Sequence, residues 1–293
     1  VKPWRNSQKA QSGVGFHSVS FNLLSYCRLA TYMQLEAGCQ LLFEATAPSP
    51  LILMLRPRTG LSQQIISSEF KFEPDVSWAE YTDSYGNLCQ RLLVPEGSFG
   101  VTTRTTVETS DLIDTQPGAA FVPVQNLPDY VVQFLLPSRY CQSDLLGSLA
   151  NEIVAGIDPA YDQVEAIRNW LYTHLDYHYD TSNASTSAVD TAQSRVGVCR
   201  DFVHLGIALC RSLTIPARMV VGYLYQLEPM DLHAWFEAYV GDRWYTFDAT
   251  QSEPRGNRVA IAYGRDAADV ALATQFGPLT LTEMKVWVEA MPL

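Results

Sequence analysis

The hydrophobic period of this chain changes once, and the change divides it into two kinds of structure. From Thr31 onward apolar residues recur at every second position, in "YMQLEAGCQLLFEA" and again in "SFGVTTRTTVET". Breaks fall at "TAPSP", at "RPRTG" and at the turn-forming "DSYGN" from Asp83 to Asn87. Short strands at this spacing pack as two facing sheets, so a β-sandwich is expected over residues 32–115. Between Asp111 and Ser138 stand Pro117, Pro123, Pro128 and Pro137, a density incompatible with a central strand or a helix interior. A connector over 116–140 follows from that. Beyond it the period lengthens to that of a helix: "SDLLGSLANEIVAG" can wind as one helix, and Asp158 followed by Pro159 opens another, striped by Val164, Ile167, Leu171 and Leu175. The expected fold class is α+β, with a second domain over 141–293. Residues 1–31, rich in Ser, Gln and Asn and without periodicity, read as a loosely held extension.

Composition bounds what such a chain can do. At 293 residues and 47% hydrophobic content it can bury two cores of ordinary size. Twenty Lys and Arg against 31 Asp and Glu give a formal charge of −11, which repels phosphate backbones and anionic bilayers and argues against nucleic-acid or membrane partners. The six cysteines, Cys27, Cys39, Cys89, Cys141, Cys199 and Cys210, lie far apart without a CxxC pair and read mostly as reduced thiols. No apolar run approaches the roughly 20 residues that cross a bilayer, and no signal peptide is evident, so the cytoplasm is the expected compartment.

The polar stretch from Asp180 to Ser194 reads as a surface loop that delivers the chain to "GVCRDF" at 197–202. Downstream, Phe202, Leu205, Leu209 and Leu213 recur at helical spacing until Ile215 and Pro216 stop the helix. Cys199 therefore stands at a helix N-terminus, where exposed N–H groups and the dipole favour a thiolate and can bind an oxyanion. Asp201 suits a bond to the backbone N–H groups of the first turn. His204, five residues on, is turned about 140° away and reads as structural, and Cys210 lies roughly 16 Å up the axis and reads as core.

In "LHAWFEAYVGDRWYTFDAT", residues 232–250, Leu232, Ala234, Phe236, Ala238 and Val240 alternate with His233, Trp235, Glu237 and Tyr239, a strand with one apolar face. Gly241 and Asp242 form a two-residue hairpin turn. If Val240 pairs with Arg243, Trp235 stands opposite Asp248, and Asp248 is diagonal to His233 on one face, about 7 Å away at the backbone. A thiol at a helix start, a histidine on a strand and an aspartate placed to orient it are the parts of a Cys-His-Asp triad, in which Cys199 attacks a carbonyl and His233 moves the proton. Trp235 is either a wall of an acyl-substrate groove or packing, and Glu237 reads as a solvated or hydrogen-bonded strand residue. His174 and His178 are four apart, yet no Glu or Cys accompanies them at metal-site spacing. A site on Cys199 and His233 lacks two further ligands, so no metal or other cofactor is expected.

The segments "GVCRDFVHLGIALCRSLTIPARMVVGYL", "LHAWFEAYV" and "WYTFDAT" resemble the three core motifs of the transglutaminase-like superfamily, over roughly residues 150–255. The preceding β-rich segment is similar to the N-terminal domain of many bacterial members. The resemblance implies a rearranged papain-like fold, with the cysteine helix packed on a sheet that carries the histidine and the aspartate, and it assigns the triad to Cys199, His233 and Asp248. Two departures concern turns: Thr214 stands where the family usually has Gly, and Ala249 where it usually has Pro. The superfamily holds transglutaminases, peptidases, amidases and inactive relatives. The implied activity is acyl transfer from a peptide or protein amide to water or a primary amine; the alternative is a binding module that keeps the fold. The loop 180–194 has no large apolar residue except Val189 to seal an acyl site, which favours hydrolysis.

Overall fold

The computed structural model describes residues 31–60 and 63–291, so the extension expected over 1–31 lies, except for Thr31, outside the described residues. The period-two segments form six strands: β1 (Tyr32–Ala45), β2 (Ser49–Leu53), β3 (Gln63–Glu73), β4 (Trp78–Thr82), β5 (Leu88–Val94) and β6 (Gly97–Ser110). Alternation places Phe99, Val101, Thr103, Thr105, Val107 and Thr109 of β6 inside, with half-buried or exposed residues between them. The sheet holding β1, β6 and β3 faces the one holding β2, β5 and β4. Phe72 and Phe99 of the first stack at 5.9 Å, and Trp78 of the second meets Phe72 at 5.9 Å.

After the connector come α1 (Asp129–Val132), α2 (Gly147–Ile153), α3 (Ala160–His174), β7 (Asp176–Tyr177), α4 (Ala188–Ser194), β8 (Val196–Gly197) and α5 (Cys199–Ser212). Strands β9 (Ala217–Leu224), β10 (His233–Val240), β11 (Arg243–Phe247) and β12 (Arg258–Gly264) follow and make an antiparallel sheet in the order β11-β10-β9-β12. Helix α5 packs on β10 and β9, and its Gly206 stands where a Cβ would come within 2.9 Å of the Phe236 ring. The single apolar face expected for β10 is corrected here: every residue of β9 and β10 is buried. The connector covers the second face, bringing Val122, Leu127 and Val131 against Tyr239, and Phe134 edge-on to Trp244 at 5.4 Å.

Three further expectations change. The chain does not leave the first domain for good at residue 115. Strands β13 (Ala273–Gln275) and β14 (Leu279–Ala290) return to it, β13 beside β2 and β14 beside β1, so the second domain does not extend to 293. The single helix expected over "SDLLGSLANEIVAG" is a 3-10 turn at Ser143–Leu145 followed by α2. The loop from Asp180 to Ser194 contains α4, whose first turn is closed by Asp190 accepting from the Ser187 N–H at 2.9 Å and hydroxyl at 2.7 Å.

Strand β12 is an edge, and two side-chain amides of the first domain satisfy it. Gln63 accepts from Ala260 N at 2.7 Å and donates to Ala260 O at 2.8 Å; Asn87 accepts from Tyr263 N at 3.1 Å and donates to Tyr263 O at 2.9 Å. Each amide does the work of one strand residue, at the bulge between Ala260 and Ala262 and beyond it. Cys39, Cys89, Cys141, Cys199 and Cys210 are all free thiols, while Cys27 lies outside the described residues. Among the described residues no helix is long and apolar enough to cross a membrane.

Candidate active site

The cysteine is presented by a tightly drawn helix start. Val198 is extended, and its N–H donates to Asp201 Oδ2 at 2.9 Å, the first-turn bond expected of that aspartate. Gly197 is required by close approach, since a Cβ there would come within 2.7 Å of Asp201 Cβ and 2.9 Å of Oδ2. As the first helical residue, Cys199 has a backbone N–H with no partner inside the helix. Parallel pairing of Tyr177 with Gly197 sets Tyr177 beside this turn. Arg200 points the other way and ties the helix start to the preceding loop through Asn183 O at 2.7 Å and Ser182 Oγ at 3.2 Å.

The histidine and aspartate arrive on the hairpin. Gly241 and Asp242 take φ of 53° and 65°, the left-handed pair of a two-residue turn, and pairing runs from Val240 with Arg243 to Phe236 with Phe247. This register carries Asp248, one residue past β11, to the face of His233, whose Nε2 donates to Asp248 Oδ2 at 2.7 Å. Cys199 stands against the same imidazole, whose Nδ1 is left free by the Nε2 bond to Asp248. Asp248 Oδ1 accepts from Thr250 N at 3.0 Å and Thr250 Oγ1 at 2.8 Å. The Nη2 of Arg258 lies 2.9 Å from Oδ2 as a charge pair without hydrogen-bond alignment. The three expected residues are therefore brought together, and Asp248 has a partner on every side.

Charge in this buried group is set by opposed effects. Burial alone would lower the pKa of His233, but the Asp248 charge and hydrogen bond, followed by the Cys199 thiol, raise it to about 9. Burial would raise that of Asp248, and the Arg258 guanidinium, the imidazole and the Thr250 N–H hold it well below the usual carboxylate range. An imidazole raised in this way readily holds a proton at the site.

A cavity of about 310 Å3 opens beside His233, walled by Tyr172, Tyr177, Tyr179, Phe202, Leu227 and Leu232 among others. Its apolar walls suit an acyl side chain. Trp235 does not line it. That ring is 2% exposed, packs with Val220, Ala260 and Tyr263, and borders a larger cavity of about 670 Å3 whose wall includes Gln63 and Thr109 of the first domain. The packing alternative for Trp235 accounts for this placement, and the acyl-groove alternative does not.

The remaining residues singled out in the sequence are structural. His204 is buried, stacks on Tyr140 at 4.9 Å and accepts from Ala267 N at 3.2 Å; Cys210 is in the core. Glu237 is buried and pairs with Arg218 at 2.6 Å rather than being solvated. His174 stacks on Trp170 at 4.8 Å, with Nδ1 3.0 Å from the Trp170 carbonyl. Two residues at the site escaped the sequence reading. Tyr177 stands in an aromatic doublet with Tyr179 just past the end of α3, and Arg258 stands where the polar stretch "QSEPRGN" gives way to the apolar "VAIAY", a pattern with no local signature.

Residues 147–249 match the family model of the transglutaminase-like superfamily core, and residues 44–108 that of the bacterial transglutaminase-like N-terminal region. The 1.9 Å crystal structure of a candidate cysteine protease from Cytophaga hutchinsonii superposes with a TM-score of 0.83 at 38% identity, covering 90% of this chain and 92% of that one. The uncharacterized protein ML0607 of Mycobacterium leprae is 28% identical over 231 residues, which are 74% of this chain and 82% of that protein. The uncharacterized protein YebA of Bacillus subtilis is 25% identical over 146 residues, 41% of this chain and 20% of its own length.

Proposed function

The chain belongs to the transglutaminase-like superfamily, and from that premise we propose that it is a cysteine-dependent acyl-transfer enzyme acting on a peptide or protein amide through Cys199, His233 and Asp248. The observation that carries the reading is the His233 imidazole held by Asp248, with Nε2 and Oδ2 2.7 Å apart, beside the cysteine that opens α5. The thiolate attacks the amide carbonyl while His233 holds the thiol proton. Collapse of the tetrahedral adduct breaks the C–N bond, and the imidazolium gives its proton to the departing amine, leaving a thioester on Cys199. A nucleophile then enters, His233 takes its proton, and the C–S bond breaks to restore the thiol. The developing oxyanion falls near the Cys199 backbone N–H.

Water is the acceptor that the cavity favours. Tyr172, Tyr177 and Tyr179 along its rim are 43%, 41% and 47% exposed, so the thioester faces solvent unless another body covers it. The apolar walls favour a bulky apolar or aromatic acyl side chain in the substrate. The test is incubation of the full chain with a mixed peptide library and excess methylamine, followed by mass analysis. Cleaved peptides lost in Cys199→Ala support hydrolysis. Methylamine-coupled products lost in the same variant leave the thioester chemistry in place and replace the acceptor. No turnover, together with ordinary iodoacetamide reactivity of Cys199 unchanged in His233→Ala, removes the enzyme reading.

A further inference from the structure

The carboxylate that orients His233 is shared with a second cation. Arg258, the first residue of β12, is 8% exposed, and its Nη2 lies 2.9 Å from the same Asp248 oxygen that accepts the imidazole N–H. Besides Asp248, two neighbours hold the guanidinium: its Nε donates to the Arg255 carbonyl at 2.8 Å, and its Cζ lies 5.0 Å from the centre of the Trp235 ring. The backbone carbonyl of Arg258 accepts from Thr109 Oγ1 of the first domain at 3.0 Å. Trp235 in turn lies 6.2 Å from the His233 ring. A buried cation so restrained cannot turn to solvent, and nothing in acyl transfer by a Cys-His-Asp set requires it to be there.

We propose that Arg258 is a positioning residue for acyl transfer: by sharing Oδ2 of Asp248 with the imidazole, it fixes the carboxylate and loosens the hold of that carboxylate on the imidazole proton. The proposal rests on the catalytic reading above. Its logic is that of a general acid, which must give its proton to the departing amine as well as hold it. An imidazole facing Asp248 alone, in a buried site, would be locked as the imidazolium. The charged and titratable groups that face it are Cys199 from the start of α5, Tyr177 from β7 beside that thiol, Asp231 from the segment before β10, Asp248 after β11 and Arg258 from β12. Arg258 is the cation among them, and it is the strongest of the influences holding Asp248 low.

The test reads the imidazole directly and needs no substrate. The full chain is labelled at histidine ring carbons, the His233 resonance is assigned by its absence in His233→Ala, and its titration is followed by NMR in the wild type, Arg258→Met, Arg258→Gln and Arg258→Lys. Removing a cation that shares one carboxylate oxygen with the ring should raise the midpoint by about one pH unit in the Met and Gln variants. The Lys variant, which keeps the charge, should stay near the wild type. An unchanged or lowered midpoint in the neutral variants, or an equal rise in the Lys variant, would overturn the proposal, because loss of packing alone loosens Asp248 and moves the midpoint down. Gln, with a hydrogen-bonding head group, gives the second neutral reading should Met fail to fold. Iodoacetamide reactivity of Cys199, measured alongside, separates failure of this inference from failure of the catalytic reading: normal His233-dependent reactivity with an unmoved midpoint sinks only the role of Arg258.

Discussion

Replacing Asp248 by Asn should make the loss of stability depend on pH in a direction that the site dictates. In the folded protein the His233 pKa is raised from its ordinary 6.5 to about 9, against a burial effect that would lower it, and the carboxylate of Asp248 is the main reason. At about 1.4 kcal/mol per pH unit this corresponds to about 3 kcal/mol of folding free energy. Because the folded value lies above the unfolded one, that stabilisation is complete below pH 6.5 and is lost as pH rises toward 9. Asp248 is shifted the opposite way, so its own contribution is present above pH 4 and lost below it. The difference in unfolding free energy between wild type and Asp248→Asn should therefore be largest at pH 5–6 and smaller by about 3 kcal/mol at pH 9.5. Loss of the Arg258 charge pair adds a part that does not vary over this range. Urea unfolding at half-unit steps from pH 5 to 9.5 measures it, and a parallel series in a Cys199→Ala background removes the titration of the thiol. A difference that is flat with pH, or that grows toward pH 9.5, would refute the assignment of the imidazole's proton affinity to Asp248.

Two other changes test the backbone that presents the site. Thr214 holds φ at 59° just after α5, where the sequence departs from a glycine, so Thr214→Gly should stabilise the chain by about 1 kcal/mol, read as a higher urea midpoint with unchanged slope. Gly197→Ala drives a methyl against Asp201, so it should destabilise by about 2 kcal/mol and slow iodoacetamide modification of Cys199, because the Asp201 cap that holds the helix start must move.

What the sequence disclosed and what it withheld follow from the range of the interactions. Helix α5, the hairpin turn at Gly241 and Asp242 and the facing of His233 and Asp248 are consequences of local periodicity and of a two-residue loop, and all could be read from about fifty consecutive residues. The capping pair Ser187 and Asp190 was equally local, but the density of Ser, Thr and Asn around it masked the helix it begins. Burial of both faces of β10 could not be read, because His233, Trp235 and Glu237 meet partners on other segments: Asp248 for the first, Arg258 for the second and Arg218 for the third. Arg258 joins the site only through a register set by pairing of β12 with β9 and by Gln63 and Thr109 from nearly two hundred and about one hundred and fifty residues away. The pairing of β14 with β1 spans more than two hundred residues, and no local pattern announces it.

That last pairing has a consequence for how the chain comes off the ribosome. Strand β1 is sandwiched between β6, made soon after it, and β14, made only after the whole of the Cys199 domain. The nascent first sheet therefore carries an open edge on β1 throughout synthesis of α5 and the hairpin, with Leu35, Ala37, Cys39, Leu41 and Phe43 not yet fully covered. The second domain can collapse during that interval, and the amides of Gln63 and Asn87 are already present to receive β12. Completion of the first domain waits on residues 279–290, so a ribosome that stops short of residue 279 releases a chain with its Cys, His and Asp all synthesised and its β1 edge available to pair with any other unfinished copy.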